Sequence, residues 1–240
     1  MKLPTLPLSL LLVFVCLISA SAQKPSTAKT RLTAVVIDEA LSVLRMQPSL
    51  YALPLQRMRR GRRLQILGVV QADGVKFCKV AASRSKVGWV QSDALAGKFR
   101  ADDEERFVRL VQAAEGFDQV ELASAFLQLY PSSRFRAPML LLFGDLLENV
   151  AIKLSRDAKS RLDRREIAAS GAPLHSFYLN LAMLDRYRKL GIVFLFNDSN
   201  RKFHYSGWSW NEIVRKYPGS IEAVEARRRL ESLKSKLEKQ

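Results

Sequence analysis

Cysteine and histidine, which supply most nucleophilic and zinc sites, are scarce in this chain. Its 240 residues include two cysteines and two histidines. Cys16 lies in an apolar N-terminal segment, and Cys78 alone can form no intramolecular disulfide. A cysteine peptidase needs its thiol beside a histidine, whereas Cys78 lies in a strand-like run and is expected to be a small buried residue. The fold must therefore depend on its apolar core.

Motifs for other kinds of catalysis are also missing. His175 and His204 belong to no zinc-ligand pattern, and the chain has no Gly-x-Ser-x-Gly elbow and no glycine-rich phosphate loop. The acidic run of residues 102–105 suits the N-terminus of a helix, where it compensates the helix dipole, better than it suits catalysis. We therefore predict no catalytic residues, no metal ligands and no cofactor.

Acidic residues are few relative to basic ones. Lys and Arg number 39 against 23 Asp and Glu, which gives a formal net charge of +16 and a pI near 10.2. Such a charge attracts nucleic acid, anionic lipid or acidic wall polymers, and it does not discriminate among them. Apolar residues make up 48% and charged residues 26% of the chain, as is typical of a globular protein.

The first 22 residues have the layout of a secretory signal peptide. Lys2 precedes an apolar run over residues 8–18, and residues 20–22 (Ala-Ser-Ala) form a small-residue cleavage pattern. The run is too short to span a bilayer comfortably, which disfavours an uncleaved anchor, and the residues before Cys16 lack a lipidation pattern. Residues 23–30 are expected to be a flexible leader. Export to the periplasm or the extracellular space disfavours nucleic acid as a partner.

Short runs rich in branched aliphatic residues follow one another between Leu32 and Leu95, with turn residues between them. The Asp73-Gly74 pair predicts a tight hairpin, because such turns need positive φ. Five short strands in a segment of this length favour a small β-barrel over residues 31–97. Gly88 is expected to let its strand pass close to a neighbour, and Trp89 to pack over the open end of the barrel.

The apolar period becomes helical after Gly97, so residues 98–240 are expected to form an α-helical domain. The buried apolar run of residues 192–198 could form a strand inside this domain, and residues 200–208 are expected to form a loop or a second short strand. Tyr-Pro-x-Ser occurs twice, at residues 130–133 and 217–220, each time at a predicted helix–turn–helix junction. Helices are predicted at residues 101–114, 118–130, 137 into the 160s, 174–190, 208–216 and 220–238.

Two sets of residues carry a family resemblance. In the first segment they are Leu41, Val43, Arg45, Pro48, Ser49, Gly61, Gly88, Trp89, Val90 and Leu95. On these residues the segment resembles a bacterial Src-homology-3-like (SH3b) domain, from which it departs by an inserted Leu44 and by Phe77 in place of a common tryptophan. The Tyr-Pro-x-Ser junctions are similar to those of tetratricopeptide-like repeats. The implied fold class is α+β multidomain, with a small SH3-like β-barrel followed by an α-helical repeat-like domain.

The SH3b resemblance implies a module that binds cell-wall peptide or a polypeptide partner. Its candidate groove comprises Arg45, Tyr51, Phe77 and Trp89, and simple core packing is the alternative for Trp89. A second candidate surface, for anionic polymers, is an arginine cluster that is equally compatible with a solvated loop. Its members are Arg57, Arg59, Arg60, Arg62 and Arg63.

We therefore predict a non-catalytic, exported binding or scaffold protein of the cell envelope. Its expected partner is peptidoglycan or an envelope protein. A weak contact with an anionic membrane surface is a further possibility. The alternative is a wall-remodelling enzyme of unrecognised type, or a subunit that targets one. Two roles are possible for four aromatic residues close together in sequence, Phe203, Tyr205, Trp208 and Trp210. They could bind sugar rings or a peptide, or they could anchor an irregular loop onto the helices.

Overall fold

The computed structural model of the protein describes residues 32–83, 85–162 and 164–238, with the backbone alone at residue 164. The signal peptide predicted for residues 1–22 and the leader predicted for residues 23–30 lie outside the described residues. Antiparallel strands form the first part of the described chain, and helices with one two-stranded hairpin form the second. The α+β class predicted from the sequence is confirmed.

Seven strands of the described chain pair in one antiparallel sheet in the order β3-β2-β6-β5-β4-β1-β7. A short 3-10 helix, Ser92–Ala94, separates the last two strands along the chain. The strands are β1 (Thr33–Val36), β2 (Val43–Arg45), β3 (Pro54–Arg57), β4 (Arg63–Ala72), β5 (Val75–Ser83), β6 (Lys86–Gln91) and β7 (Leu95–Gly97).

The sheet is open, so the prediction of a closed barrel over residues 31–97 is wrong. Its edges are β3 and β7, which do not pair with each other in the described chain. Closure requires strands long enough to tilt and stagger about a common axis. Here β2 and β7 have three residues each and β3 has four, and the β2–β3 register shifts at Leu44 and Arg45.

Two local predictions for the sheet, the turn at Asp73-Gly74 and the close approach at Gly88, are confirmed. Asp73 and Gly74 form the β4–β5 turn with φ values of 50° and 76°, as the hairpin signal predicted. Gly88 lies against β2, since a Cβ at this position would be 2.7 Å from the Arg45 carbonyl oxygen. The expected close approach is therefore confirmed.

Eight α-helices and a hairpin follow in the described chain. The hairpin pairs β8 (Phe194–Asn197) with β9 (Lys202–Tyr205), so the strand expected within residues 192–198 is confirmed, although Phe194 is its one buried residue. The helices are α1 (Asp103–Ala113), α2 (Gly116–Leu129), α3 (Arg136–Arg161), α4 (Arg164–Ser170), α5 (Leu174–Leu179), α6 (Asp185–Arg188), α7 (Trp208–Lys216) and α8 (Ile221–Glu238).

The single helix predicted over residues 174–190 is wrong, because the segment divides into α5, a 3-10 turn and α6. The Asn180 side chain donates a hydrogen bond to the Ser176 carbonyl oxygen, and Leu181 turns to an extended conformation. Asparagine competes with the helix in this way by bonding nearby backbone groups. The break lets Leu184 and Tyr187 enter the core.

The apolar core of the helices extends into the sheet. Ala34 and Val36 of β1 face the core of the sheet, whereas Val35 between them packs among the helical residues. Ile37 and Ala96 join the same helical core. Alternation along β1 thus contributes side chains to both cores. The domain boundary predicted between residues 97 and 98 falls between β7 and α1, and apolar packing crosses it.

The start of α1 closes the β7 edge through a buried carboxylate. Asp103 is fully buried, and its Oδ2 accepts a hydrogen bond of 3.0 Å from the Gly97 N–H. Arg100 and Arg106 donate to Asp103 Oδ1 and also to the Leu95 carbonyl oxygen. The acidic run therefore joins helix to sheet, a role beyond the dipole compensation expected from the sequence.

Candidate functional site

A cross-strand row of side chains lies on the outer face of the sheet. Arg45 on β2 is directly opposite Trp89 on β6, which is opposite Lys79 on β5. The Lys79 Nζ lies 5.8 Å from the centroid of the Trp89 ring, within the range of a cation–π contact. We call Arg45, Trp89 and Lys79 the outer row.

Strand alternation turns Trp89 outward. Gly88 and Val90 on either side of it are buried on the inner face, so the indole lies on the other face and is half-buried. The prediction that Trp89 packs over the open end of a barrel is wrong, because the sheet does not close into a barrel. Its ring is instead placed between two basic residues at the surface.

The loop after β2 carries exposed apolar side chains beside the outer row. The Arg45 Nη1 donates a hydrogen bond of 2.8 Å to the Ala52 carbonyl oxygen, and the Asp73 carboxylate accepts from Ser49 and Leu50 at the other side of the loop. Tyr51, between these anchors, is 91% exposed. The loop therefore has a fixed base and presents the Tyr51 ring to solvent.

Phe77 is separated from the other predicted groove residues. It is fully buried, between Val70 of β4 and Gln91 of β6 in the register of the sheet. A side chain with no exposed surface cannot line an open groove. The sequence placed Arg45, Tyr51 and Trp89 in one region but missed Lys79, because only the β5–β6 register shows which residue lies opposite Trp89.

Four members of the arginine cluster are engaged by protein groups. Arg57 donates to the carbonyl oxygens of Glu39 and Ala40, and Arg62 donates to that of Ala82. The two others reach α2. Arg60 forms an ion pair of 2.5 Å with Asp118, and the Arg63 guanidinium donates to Gln128 Oε1.

These contacts favour a structural role for most of the cluster. Gly61, with φ of 76°, turns the chain above Glu121, whose carboxylate lies under the turn. Burial raises the pKa of Glu121, and the charge of Arg60 partly offsets this shift. Arg59 is the one member of the cluster whose side chain has no hydrogen bond or ion pair among the residues that the structure describes.

Cys78 has the properties of a core residue. It is fully buried, and burial raises the pKa of its thiol to about 11, which keeps the reactive thiolate rare near neutral pH. His175 is exposed on α5, while His204 is buried on β9. Across the described ranges, no group of three or more His, Cys, Asp or Glu side chains could hold a metal ion.

A partly buried ionic cluster links α3, β9 and α8. Glu148 accepts hydrogen bonds from the Tyr205 N–H and from Lys236 Nζ, at 3.0 and 2.8 Å, and lies 3.6 Å from His204 Nδ1. Burial alone would raise the pKa of Glu148, but the hydrogen bonds and the charge of Lys236 outweigh it. The pKa therefore lies below the ordinary value of 4.5.

This low pKa predicts acid sensitivity that depends on Glu148. A group with a depressed folded-state pKa contributes stability above its unfolded pKa, and the contribution is lost as pH falls through the folded value. The parent chain should therefore have a higher free energy of unfolding than Glu148→Gln. This difference should be largest near neutral pH and shrink below about pH 4.5. Urea unfolding at pH 7 and pH 4 measures it, with the exposed Glu231→Gln as control. A difference that is equal at both pH values contradicts the expectation.

In the described part of the chain, none of the helices combines the length and the apolar character that crossing a bilayer requires.

No protein-family model matches the chain, and comparisons with curated proteins and with solved structures find no match. The SH3b and tetratricopeptide-like resemblances stay predictions from the sequence.

Proposed function

We propose that the protein is a non-catalytic binding protein of the cell envelope, and that the outer face of its sheet binds carboxylate-bearing wall peptide. The observation that carries the proposal is the outer row, an indole placed between Arg45 and Lys79. Aromatic faces and basic groups side by side suit a chain that has both apolar atoms and carboxylates.

Two further features support binding at this face. Tyr51 is almost fully exposed on a loop whose base is anchored by hydrogen bonds, so contact with a ligand would bury a large ring at little cost in loop ordering. The position opposite Lys79 on β4 is Gly68, where a Cβ would meet no atom within 4 Å. The row therefore continues into open space on that side.

The test is co-sedimentation of the chain with purified peptidoglycan at low and high salt. Trp89→Ala is expected to weaken binding about tenfold, the equivalent of about 1.4 kcal/mol. Lys79→Ala should weaken it mainly at low salt, because screening reduces surface charge interactions. Lys76→Ala is the matched control, since it removes the same charge from an exposed position of the same strand without touching the outer row.

The proposal fails if the chain does not bind, or if Trp89→Ala and Lys76→Ala bind alike. Binding that disappears entirely at high salt in every variant would also contradict it, since that pattern indicates attraction by net charge alone. Release of soluble wall fragments by the parent chain would favour the wall-remodelling alternative.

A further inference from the structure

A groove of about 630 Å³ lies beside α7, far along the chain from the outer row. It is lined by Ser206, Trp208, Asn211, Glu212, Val214 and Arg215. It is formed by Ser206 and residues of α7 and is open to solvent, and its volume falls in the range of small-molecule sites.

The fold separates Trp208 from the aromatic residues around it in sequence. Phe203, Tyr205 and Trp210 are at most 2% exposed and belong to the helical core, which fits the interpretation that they anchor a loop. Trp208 remains 41% exposed, with its ring centroid 5.6 Å from that of Phe143. Of the four rings, Trp208 therefore packs on the core and is also exposed to a ligand.

The charges of the groove leave one cation unpaired. Glu212 accepts hydrogen bonds from Arg136 and Lys216. Burial alone would raise its pKa, but these bonds hold the pKa below its ordinary value, so the carboxylate stays ionised and neutralised by its partners. Arg215 is exposed, and its guanidinium has no hydrogen bond or ion pair among the described residues. An anionic ligand group would therefore meet a free guanidinium.

We propose that this groove binds an acidic saccharide, with a sugar ring stacked on Trp208 and a carboxylate on Arg215. The apolar lining is limited to Trp208 and Val214, and the other lining residues are hydrogen-bonding side chains. A ligand that fits has one apolar face and a rim of hydroxyl groups, which describes a pyranose ring. An apolar peptide would need several apolar pockets, and the groove does not provide them. The site does not depend on the outer row.

The experiment uses the whole chain with galacturonic acid tetrasaccharide as probe and a neutral glucose tetrasaccharide as comparison. The chain has three tryptophans, so a Trp89→Phe variant leaves Trp208 and the buried Trp210. In this variant the acidic probe is expected to change the tryptophan emission. Calorimetry on the parent chain should show tighter binding of the acidic than of the neutral probe.

Variants separate a specific site from net charge. Arg215→Gln is expected to weaken binding of the acidic probe about tenfold. Arg109→Gln on α1, the same change at another exposed arginine, should leave its affinity unchanged. Trp208→Ala removes the ring, and Trp208→Phe is added because it keeps a stacking surface over Phe143 if the alanine variant does not fold.

Three results would overturn the proposal: no calorimetric binding of the acidic probe, equal binding of both probes, or equal weakening by Arg215→Gln and Arg109→Gln. Binding of the probe without any change in the emission of the Trp89→Phe chain would place it elsewhere and would also overturn it. None of these results depends on whether peptidoglycan binds at the outer row.

Discussion

Gly144→Ala should strongly destabilise the folded protein. Gly144 lies inside α3, where alanine is ordinarily favoured by about 1 kcal/mol. A Cβ at this position would lie 2.2 Å from the Trp210 Nε1 and 2.7 Å from the Ser209 Oγ. Trp210 is 2% exposed and packs edge-on against Tyr205, with ring centroids 5.2 Å apart, so it cannot move aside freely. Overpacking typically costs about 1–3 kcal/mol, and the 2.2 Å approach places this site at the upper end. After the gain of about 1 kcal/mol in helix propensity, we expect a net loss of about 2 kcal/mol.

Urea unfolding followed by circular dichroism measures this loss as a shift of the midpoint. Gly219→Ala is the control, since a Cβ there meets no atom within 4 Å. Adding Trp210→Phe should reduce the cost of Gly144→Ala, because the smaller ring leaves room for the new methyl group. Equal midpoints for Gly144→Ala and Gly219→Ala would show that α3 and α7 are not packed as described.

The second large effect is expected for Asp103→Ala. This carboxylate is fully buried and accepts hydrogen bonds from the Gly97 N–H, Arg100 and Arg106. Removing one partner of a buried ionic group typically costs 3–5 kcal/mol. The two arginine side chains are 23% and 22% exposed and can be partly rehydrated, which places the expected loss near the lower limit, at about 3 kcal/mol.

Its neighbour provides a matched control. Asp102 precedes α1, is exposed and makes no side-chain cap hydrogen bond, so Asp102→Ala should change the free energy of unfolding by less than about 0.5 kcal/mol. Asp103→Asn keeps one acceptor oxygen and should lie between the two. If Asp103→Ala and Asp102→Ala unfold at the same urea concentration, the carboxylate does not hold α1 against the sheet.

Local signals account for what the sequence predicted correctly. The Asp73-Gly74 turn and the two C-terminal helices depend on residues that are near one another along the chain. Backbone preferences and periodicity are therefore enough to predict them. The break after Asn180 was missed although its cause is local, because the apolar residues on either side keep a helical spacing.

Contacts between distant segments account for the rest. The pairing of Arg60 with Asp118 decides that this arginine serves the fold, and no spacing in the sequence shows it. Lys79 joins the outer row only through the register of β5 and β6. Phe77 was placed in the groove because it occupies a position where the resembled family often has tryptophan, but tertiary packing buries it completely.

The two edges of the sheet differ in a way that bears on assembly. At β7 the Gly97 N–H and the Leu95 carbonyl oxygen are occupied by Asp103, Arg100 and Arg106. At β3 the described chain provides no further strand, and Leu55 is exposed. Unlimited polymerisation by edge-to-edge pairing needs two available edges on each copy. With the β7 edge occupied by Asp103, Arg100 and Arg106, edge-to-edge pairing can join at most two copies, through β3.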